Sequence, residues 1–251
     1  MKKSANKISV IVATYNNRSE LEKTIDSFIN QKYPNKELII IDGESTDGTT
    51  EIIKRNQKHF SHWVSEKDKG IADAFNKGLA MATGEYIYFF GAGDYLWSND
   101  VFSKMMQNVN PKNDLLVCGK INRVSKTGNI IRYTTPINFR KWHLLYKMGL
   151  PHQGLFMNKK FFDKYGQFDT SCVYAMDYEL LLRSYSSFPK IVLKDIVVAA
   201  WKEGGIGKDK TLEIFDEYKR IKLKNKIAPT IIISVFDILS RIKYFLEKLT
   251  K

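Results

Sequence analysis

The 251-residue chain is long enough for one large α/β domain or two small ones, and a hydrophobic share of 43% provides for a sizeable core. Forty Lys and Arg against 27 Asp and Glu leave a net charge of +13, a field that favours anionic partners: nucleotides, nucleic acid or an anionic membrane surface. Two cysteines without short spacing, Cys118 and Cys172, argue against a zinc site or a disulfide framework and fit a reduced, cytosolic setting. Met1-Lys-Lys3 has the charge of a signal-peptide start, but the apolar run Ile8 to Ala13 behind it is too short. No run approaches the roughly 18 apolar residues of a membrane span, so the chain reads as soluble or peripheral.

Ile8 to Ala13 is a first buried strand, broken by Thr14-Tyr-Asn-Asn17. Leu21, Ile25, Phe28 and Ile29 then recur at helical spacing, which predicts an amphipathic helix over 19–31 with Ser19 as N-cap. Beyond Pro34 comes the strand 37–41, ending at Asp42. Gly43 to Gly48 is a loop, and Thr46 or Asp47 can cap a helix running to about His59. A short strand, His62 to Ser65, leads into Glu66-Lys-Asp-Lys-Gly70 and a helix with Ile71, Ala74, Phe75, Leu79 and Ala82 on one side.

Gly84 ends that helix, and Tyr86-Ile-Tyr-Phe-Phe90 reads as a buried central strand that stops at Gly91-Ala-Gly-Asp94. Taken alone, the two glycines and the carboxylate fit a plain turn as well as a site. The wider pattern bears on that choice. Strands alternating with helices through short loops predict a parallel sheet with right-handed crossovers. In such a sheet Thr14, Asp42 and Asp94 fall at one edge, with Asp68 in a neighbouring loop, and ligands bind beyond that edge. Each carboxylate alone is more often a cap or turn residue. The sequence carries neither a dinucleotide Gly-x-Gly-x-x-Gly after its first strand nor a Walker A loop.

In the second half, 115–119 is a strand, and 121–133 reads as a hairpin around Lys126-Thr-Gly-Asn129, either an edge of the sheet or part of an acceptor site. Residues 139–148 look helical. Pro151-His-Gln enters a strand, with His152 a wall residue or an acceptor or metal contact. Asp177 opens a helix through Leu180 and Leu181, where a first-turn Asp also satisfies the helix dipole. After a strand over 191–198, Trp201 stands in the glycine-rich loop 201–207, either as core or as a platform for a sugar. Residues 218–226 hold five basic side chains and no acidic one. From Pro229, Ile231, Val235, Ile238, Ile242, Phe245 and Leu249 form an apolar stripe. The stripe suits packing on the domain, a second copy (a homodimer), or an anionic membrane surface.

Four stretches resemble the successive motifs of the family 2 glycosyltransferases, in family order and spacing: Val10 to Asn16, Ile41 to Thr49, Asp68 to Gly78 and Phe90 to Asp94. The resemblance implies an α/β GT-A fold, with a Rossmann-like mostly parallel sheet flanked by helices. It is strong over 8–94 and weaker to about 207. It places a catalytic domain at 1–207, with a nucleotide-sugar half (1–110) and an acceptor half (111–207), followed by basic and amphipathic helices over 208–251.

Residue by residue, the resemblance gives Thr14 and Tyr15 to the nucleoside, Asp42 to the uracil ring, and Asp68 with Asn76 and Lys77 to the nucleotide side. Ala92 and Gly93 line the donor site. Asp94 becomes the carboxylate for a divalent metal, Mn²⁺ or Mg²⁺, and hard cations of this kind take oxygen ligands. Asp177 matches the general base that an inverting displacement needs. The chain departs from the family in having Gly91 and Gly93 where relatives carry acidic residues, and Met176 where they carry Glu.

The implied activity moves a hexose or N-acetylhexosamine from a UDP-sugar to a sugar hydroxyl on a polyprenyl-diphosphate-linked acceptor. The setting is bacterial surface polysaccharide synthesis, at the inner face of the plasma membrane. Two alternatives stand beside it: a protein-directed transferase and an inactive nucleotide-sugar-binding protein. Nothing in the sequence supports a nucleic-acid reader.

Overall fold

The computed structural model describes residues 5–136 and 138–249. Met1-Lys-Lys3 lies outside them. Four strands form a parallel core: β1 (Ile8–Thr14), β2 (Lys36–Asp42), β3 (His62–Ser65) and β4 (Tyr86–Gly91), in the order β3-β2-β1-β4. They are linked by α1 (Arg18–Ile29), α2 (Thr49–Asn56) and α3 (Ile71–Met81). Each crossover returns the chain to the same end of the sheet, so all four strands point their carboxyl ends one way.

Successive side chains in a strand face opposite sides, and this divides the core in two. Ile11, Ile39, Ile41, Ile87 and Phe89 pack under α3 and the second half of the chain. Val10, Val12, Leu38, Ile40, Tyr88 and Phe90 pack under α1, α2 and α4 (Val101–Met106). Burial on both faces explains why these strands read as unbroken apolar runs.

The sheet continues past β4 with mixed directions. β8 (Leu155–Asn158) pairs antiparallel with β4 and with β6 (Leu116–Val124). β9 (Ile191–Lys202) runs parallel to β6, and the short β5 (Tyr95–Leu96) closes on β9 at Ala199 and Ala200. β7 (Ile130–Thr134) forms the expected hairpin with β6. α6 (Lys159–Tyr165), α7 (Met176–Arg183), α8 (Thr211–Lys224) and α9 (Thr230–Leu249) complete the chain. No helix among the described residues is long and apolar enough to cross a membrane.

Several expectations shift. Ser19 is not a cap: α1 starts one residue earlier, and no side chain caps it. The helix expected over 139–148 shrinks to α5 (His143–Tyr146). There the chain folds back so that the Phe139 ring lies where a side chain on Gly149 would stand, 2.9 Å from its ideal Cβ. β9 runs four residues further than its apolar run suggests, because β6 keeps pairing with it to Val124. Trp201 therefore sits in a strand, opposite Arg123, whose guanidinium stacks 4.9 Å from the indole.

Candidate active site

The parallel strands bring Thr14, Asp42 and Ser65 to one edge. Thr14 stands in register with Asp42, and Asp42 with Ser65. Asp42 is fully buried. One of its oxygens accepts the Ser45 hydroxyl; the other accepts the Ser45 amide at 3.0 Å and the Ser65 hydroxyl at 2.6 Å. These donors satisfy the hydrogen-bonding oxygens of a buried side chain.

Tyr15 projects into solvent, 65% exposed, with Asp68 close by. A Cβ on Gly43 would come within 2.7 Å of Asp68 Oδ2 and 3.3 Å of the Tyr15 ring. Glycine at 43 is thus what lets the acidic and aromatic groups approach each other. Asp68 Oδ1 accepts the Gly70 amide at 2.9 Å. The Thr14 hydroxyl is buried with no partner among the described residues, a free hydrogen-bonding group at the edge of the cleft.

The Gly91-Ala-Gly-Asp94 turn is built against α1. The Asn17 amide donates to the Ala92 carbonyl at 2.7 Å. The Thr24 hydroxyl donates to the Asp94 carbonyl at 2.7 Å and accepts the Gly93 amide at 3.0 Å. Gly93 adopts φ +106°, in the left-handed region that glycine tolerates best. The turn delivers Asp94 to a buried position, only 7% exposed. Its Oδ1 accepts the Lys202 amide at 3.1 Å and its Oδ2 the Gln153 side-chain amide at 3.2 Å. Burial lifts the Asp94 pKa from 3.8 to about 7, against the lowering effect of the Lys202, Gln153 and Gly91 hydrogen bonds.

His152 and Gln153 form a single 3-10 turn ahead of β8. Gln153 reaches Asp94, and its carbonyl accepts the Tyr88 hydroxyl at 2.6 Å. His152 faces the other way. Its ring stacks on Phe75 and Phe89, and its Nδ1 lies 3.7 Å from Asp177 Oδ2. Burial pushes the His152 pKa down, partly offset by Asp177, so the imidazole is neutral at pH 7. Its buried Nε2 has no partner among the described residues.

Asp177 is in the first turn of α7, where its Oδ1 accepts the Tyr178 amide at 2.7 Å. The approach to that helix is fixed from α8. Glu217 accepts the amides of Val173, Tyr174 and Ala175 at 2.7–3.0 Å. The structure thus gathers Asp94 and Asp177 around one two-residue hinge, His152-Gln153, while Thr14, Tyr15, Asp42 and Asp68 line the neighbouring edge.

Three expected residues make contacts within the scaffold. Asn76 exchanges two 2.9 Å hydrogen bonds with the backbone of Phe168, tying α3 to the segment before α7. Lys77 pairs with Glu66 at 2.8 Å and donates to the Lys67 carbonyl at 2.9 Å, bracing the loop that carries Asp68. Trp201 is held in β9 under Arg123 rather than presented by a loop. Reading the sequence did not single out Gln153, Gly43, Thr24, Glu217 or Lys202. Gln153 had a visible signal, its place beside His152. Lys202 acts through its backbone, which no residue type reveals.

A divalent cation fits this site in one way. No group of three or more His, Cys, Asp or Glu among the described residues could hold a metal ion. Asp94 offers a single carboxylate, and with glycine at 91 the nearest point of an absent Cβ is 3.7 Å from Asp94 Oδ2. A hard cation would therefore take one protein oxygen from Asp94 and its remaining ligands from diphosphate and water.

A parallel sheet continued by a mixed half and flanked by helices is the GT-A class of fold, and solved structures bear this out. TarS of S. aureus superposes with a TM-score of 0.68 at 18% identity over 87% of this chain, which spans 39% of TarS. The mannosyltransferase PcManGT of Pyrobaculum calidifontis, solved with GDP-Man and Mn²⁺, gives 0.68 at 19% identity, over 92% of this chain and 70% of that one.

The family follows from sequence. The glycosyl transferase family 2 model matches residues 9–176, and the chain belongs to that family. An uncharacterised glycosyltransferase of Mycobacterium tuberculosis is 30% identical over 183 residues, 72% of this chain and 70% of that protein. A PGL/p-HBAD biosynthesis glycosyltransferase of Mycobacterium bovis is 27% identical over 239 residues, 90% and 88% of the two chains.

Proposed function

We propose that this family 2 glycosyltransferase moves a hexose or N-acetylhexosamine from a UDP-sugar to a hydroxyl of a lipid-linked sugar, with inversion. The observation that carries this reading is the placing of Asp94 and Asp177 on either side of the His152-Gln153 turn. That separation suits a donor diphosphate at Asp94 and an acceptor at Asp177. Tyr15, Asp42 and Asp68 take the nucleoside, with the Thr14 hydroxyl as a free polar group beside them.

Asp177 acts as general base. The acceptor oxygen attacks the anomeric carbon, the bond from that carbon to the phosphate oxygen breaks, and UDP departs. Asp177 receives the hydroxyl proton. Neutral His152, 3.7 Å away, walls the base and places no positive charge beside its carboxylate. Mn²⁺ or Mg²⁺ bound through Asp94 would supply charge neutralisation for the departing diphosphate. Gln153 and the Lys202 amide orient the Asp94 carboxylate.

The family relatives support this reading. TarS has been solved with UDP-GlcNAc, and a Methanococcus voltae relative, 28% identical over 216 residues, is named for transfer to a dolichyl-phosphate-linked sugar. We place the reaction at the cytoplasmic face of the plasma membrane, in surface polysaccharide synthesis, with the C-terminal helices on the bilayer.

The test is a donor screen that reads UDP release with and without a lipid-linked acceptor, repeated on Asp177→Asn. The substitution should retain UDP binding and lower transfer by roughly two to four orders of magnitude. Near-wild-type turnover would remove Asp177 from the role.

A further inference from the structure

A surface helix ordinarily turns its apolar stripe to the core and its charges to water. α9 departs from this. Its inward side carries buried Ile233 but is fixed largely by charge: Asp237 is buried, takes Arg241 Nε at 3.0 Å, and lies 3.5 Å from Lys219 on α8. Arg241 also reaches Asp216 on α8 at 2.7 Å. With this seam holding α9 to α8, the stripe through Ile231, Val235, Ile238, Ile242, Phe245 and Leu249 faces outward, each side chain 49–83% exposed. An apolar stripe of this length along one helix marks an interaction site.

The surroundings point to its occupant. Phe236 of α9 meets the Tyr146 ring of α5 at 6.3 Å. One turn before Tyr146 stands Trp142, 60% exposed, between Arg140, Lys141 and Lys147, all of them exposed. No acidic residue occurs from Phe139 to Met148 or from Lys219 to Phe236. An apolar stripe flanked by cations and an interfacial tryptophan is the pattern of a helix lying in an anionic bilayer surface. A second copy fits less well, since pairing two such faces would bring together two chains of charge +13 with their basic residues adjacent.

We propose that α9 and the 140–147 segment form one docking face for an anionic lipid surface. The proposal deepens the reading of a lipid-linked acceptor. Vesicle binding needs no turnover and UDP-sugar hydrolysis needs no membrane, so the two succeed or fail separately.

The test floats the full chain with vesicles of phosphatidylcholine, alone or mixed with phosphatidylglycerol. Flotation should require phosphatidylglycerol and weaken as salt rises. Arg140→Ala with Lys147→Ala should lower the partition coefficient about five-fold per cation removed. Ile238→Asp with Phe245→Asp, at exposed positions that leave the fold intact, should abolish it. Flotation unchanged by the α9 pair overturns the proposal. Loss with the α9 pair but not with Arg140→Ala, Lys147→Ala and Trp142→Ala combined overturns the shared face. A chain that sediments as a dimer, ignores vesicles and becomes monomeric with the α9 pair shows a second copy as the occupant and overturns it as well.

Discussion

Asp94 is held where its charge is disfavoured, and removing that charge should make the free protein more stable. In the native state its pKa is about 7 instead of 3.8. The sign follows from proton binding: the folded chain holds this proton more tightly than the unfolded chain. Stability is therefore unaffected below pH 3.8, falls as pH rises through 3.8 to 7, and carries the full penalty above 7. Three units correspond to about 4 kcal/mol. Asp94→Asn keeps the shape without the charge, and the Gln153 amide can turn to present its oxygen. Urea unfolding in EDTA should find Asp94→Asn more stable than wild type, with the gap widening by about 2–3 kcal/mol from pH 5 to pH 8. Mn²⁺ with UDP should then raise the wild-type midpoint more than that of the variant. A variant less stable at pH 8, or a gap that ignores pH, would refute the reasoning.

Other residues yield sharper single tests. Gly43→Ala places a methyl 2.7 Å from Asp68 Oδ2, so calorimetry should show UDP affinity falling about ten-fold, the scale of one charged hydrogen bond, with little change in Tm. Gly78→Ala would put its Cβ 2.3 Å from Ile11 Cγ2; unfolding should show a loss of about 1–3 kcal/mol, and the loss should shrink in an Ile11→Ala background, which has no Cγ2. Glu37 is buried, which by itself raises its pKa, but hydrogen bonds from Lys7, Ser9 and Thr83 outweigh this and hold it at about 2. Its contribution is complete above pH 4.5 and is lost as pH falls toward 2. The stability gap between wild type and Glu37→Gln, about 3 kcal/mol at pH 7, should therefore shrink over that acid range.

The first half of the fold was legible because its signals are local. Continuous apolar runs marked strands buried on both faces, and the residues ending them marked one edge. The ends of the runs place Asp42 and Asp94 at strand ends, and the apolar spacing after Asp177 places it at the start of a helix. What stayed hidden depends on distant partners. Nothing local distinguishes Gln153 as the residue that touches Asp94, or Glu217 as the anchor of the turn before Asp177, 40 residues away in sequence. The length of β9 is set by β6, and the short α5 by a ring folding onto Gly149. The motif residues Asn76 and Lys77 illustrate the converse. They stand in a motif stretch, yet no local signal foretold that their side chains would tie to Phe168 and Glu66.

β9 starts beside β6 and ends with the Lys202 amide on Asp94. Lys202 also pins Glu20 of α1 at 2.6 Å. One strand thus staples the floor of the cleft from end to end. The two halves cannot swing apart about a hinge without tearing this strand from its neighbours. A ligand in this cleft therefore meets a platform whose shape is set by a continuous strand rather than by the closing of two bodies.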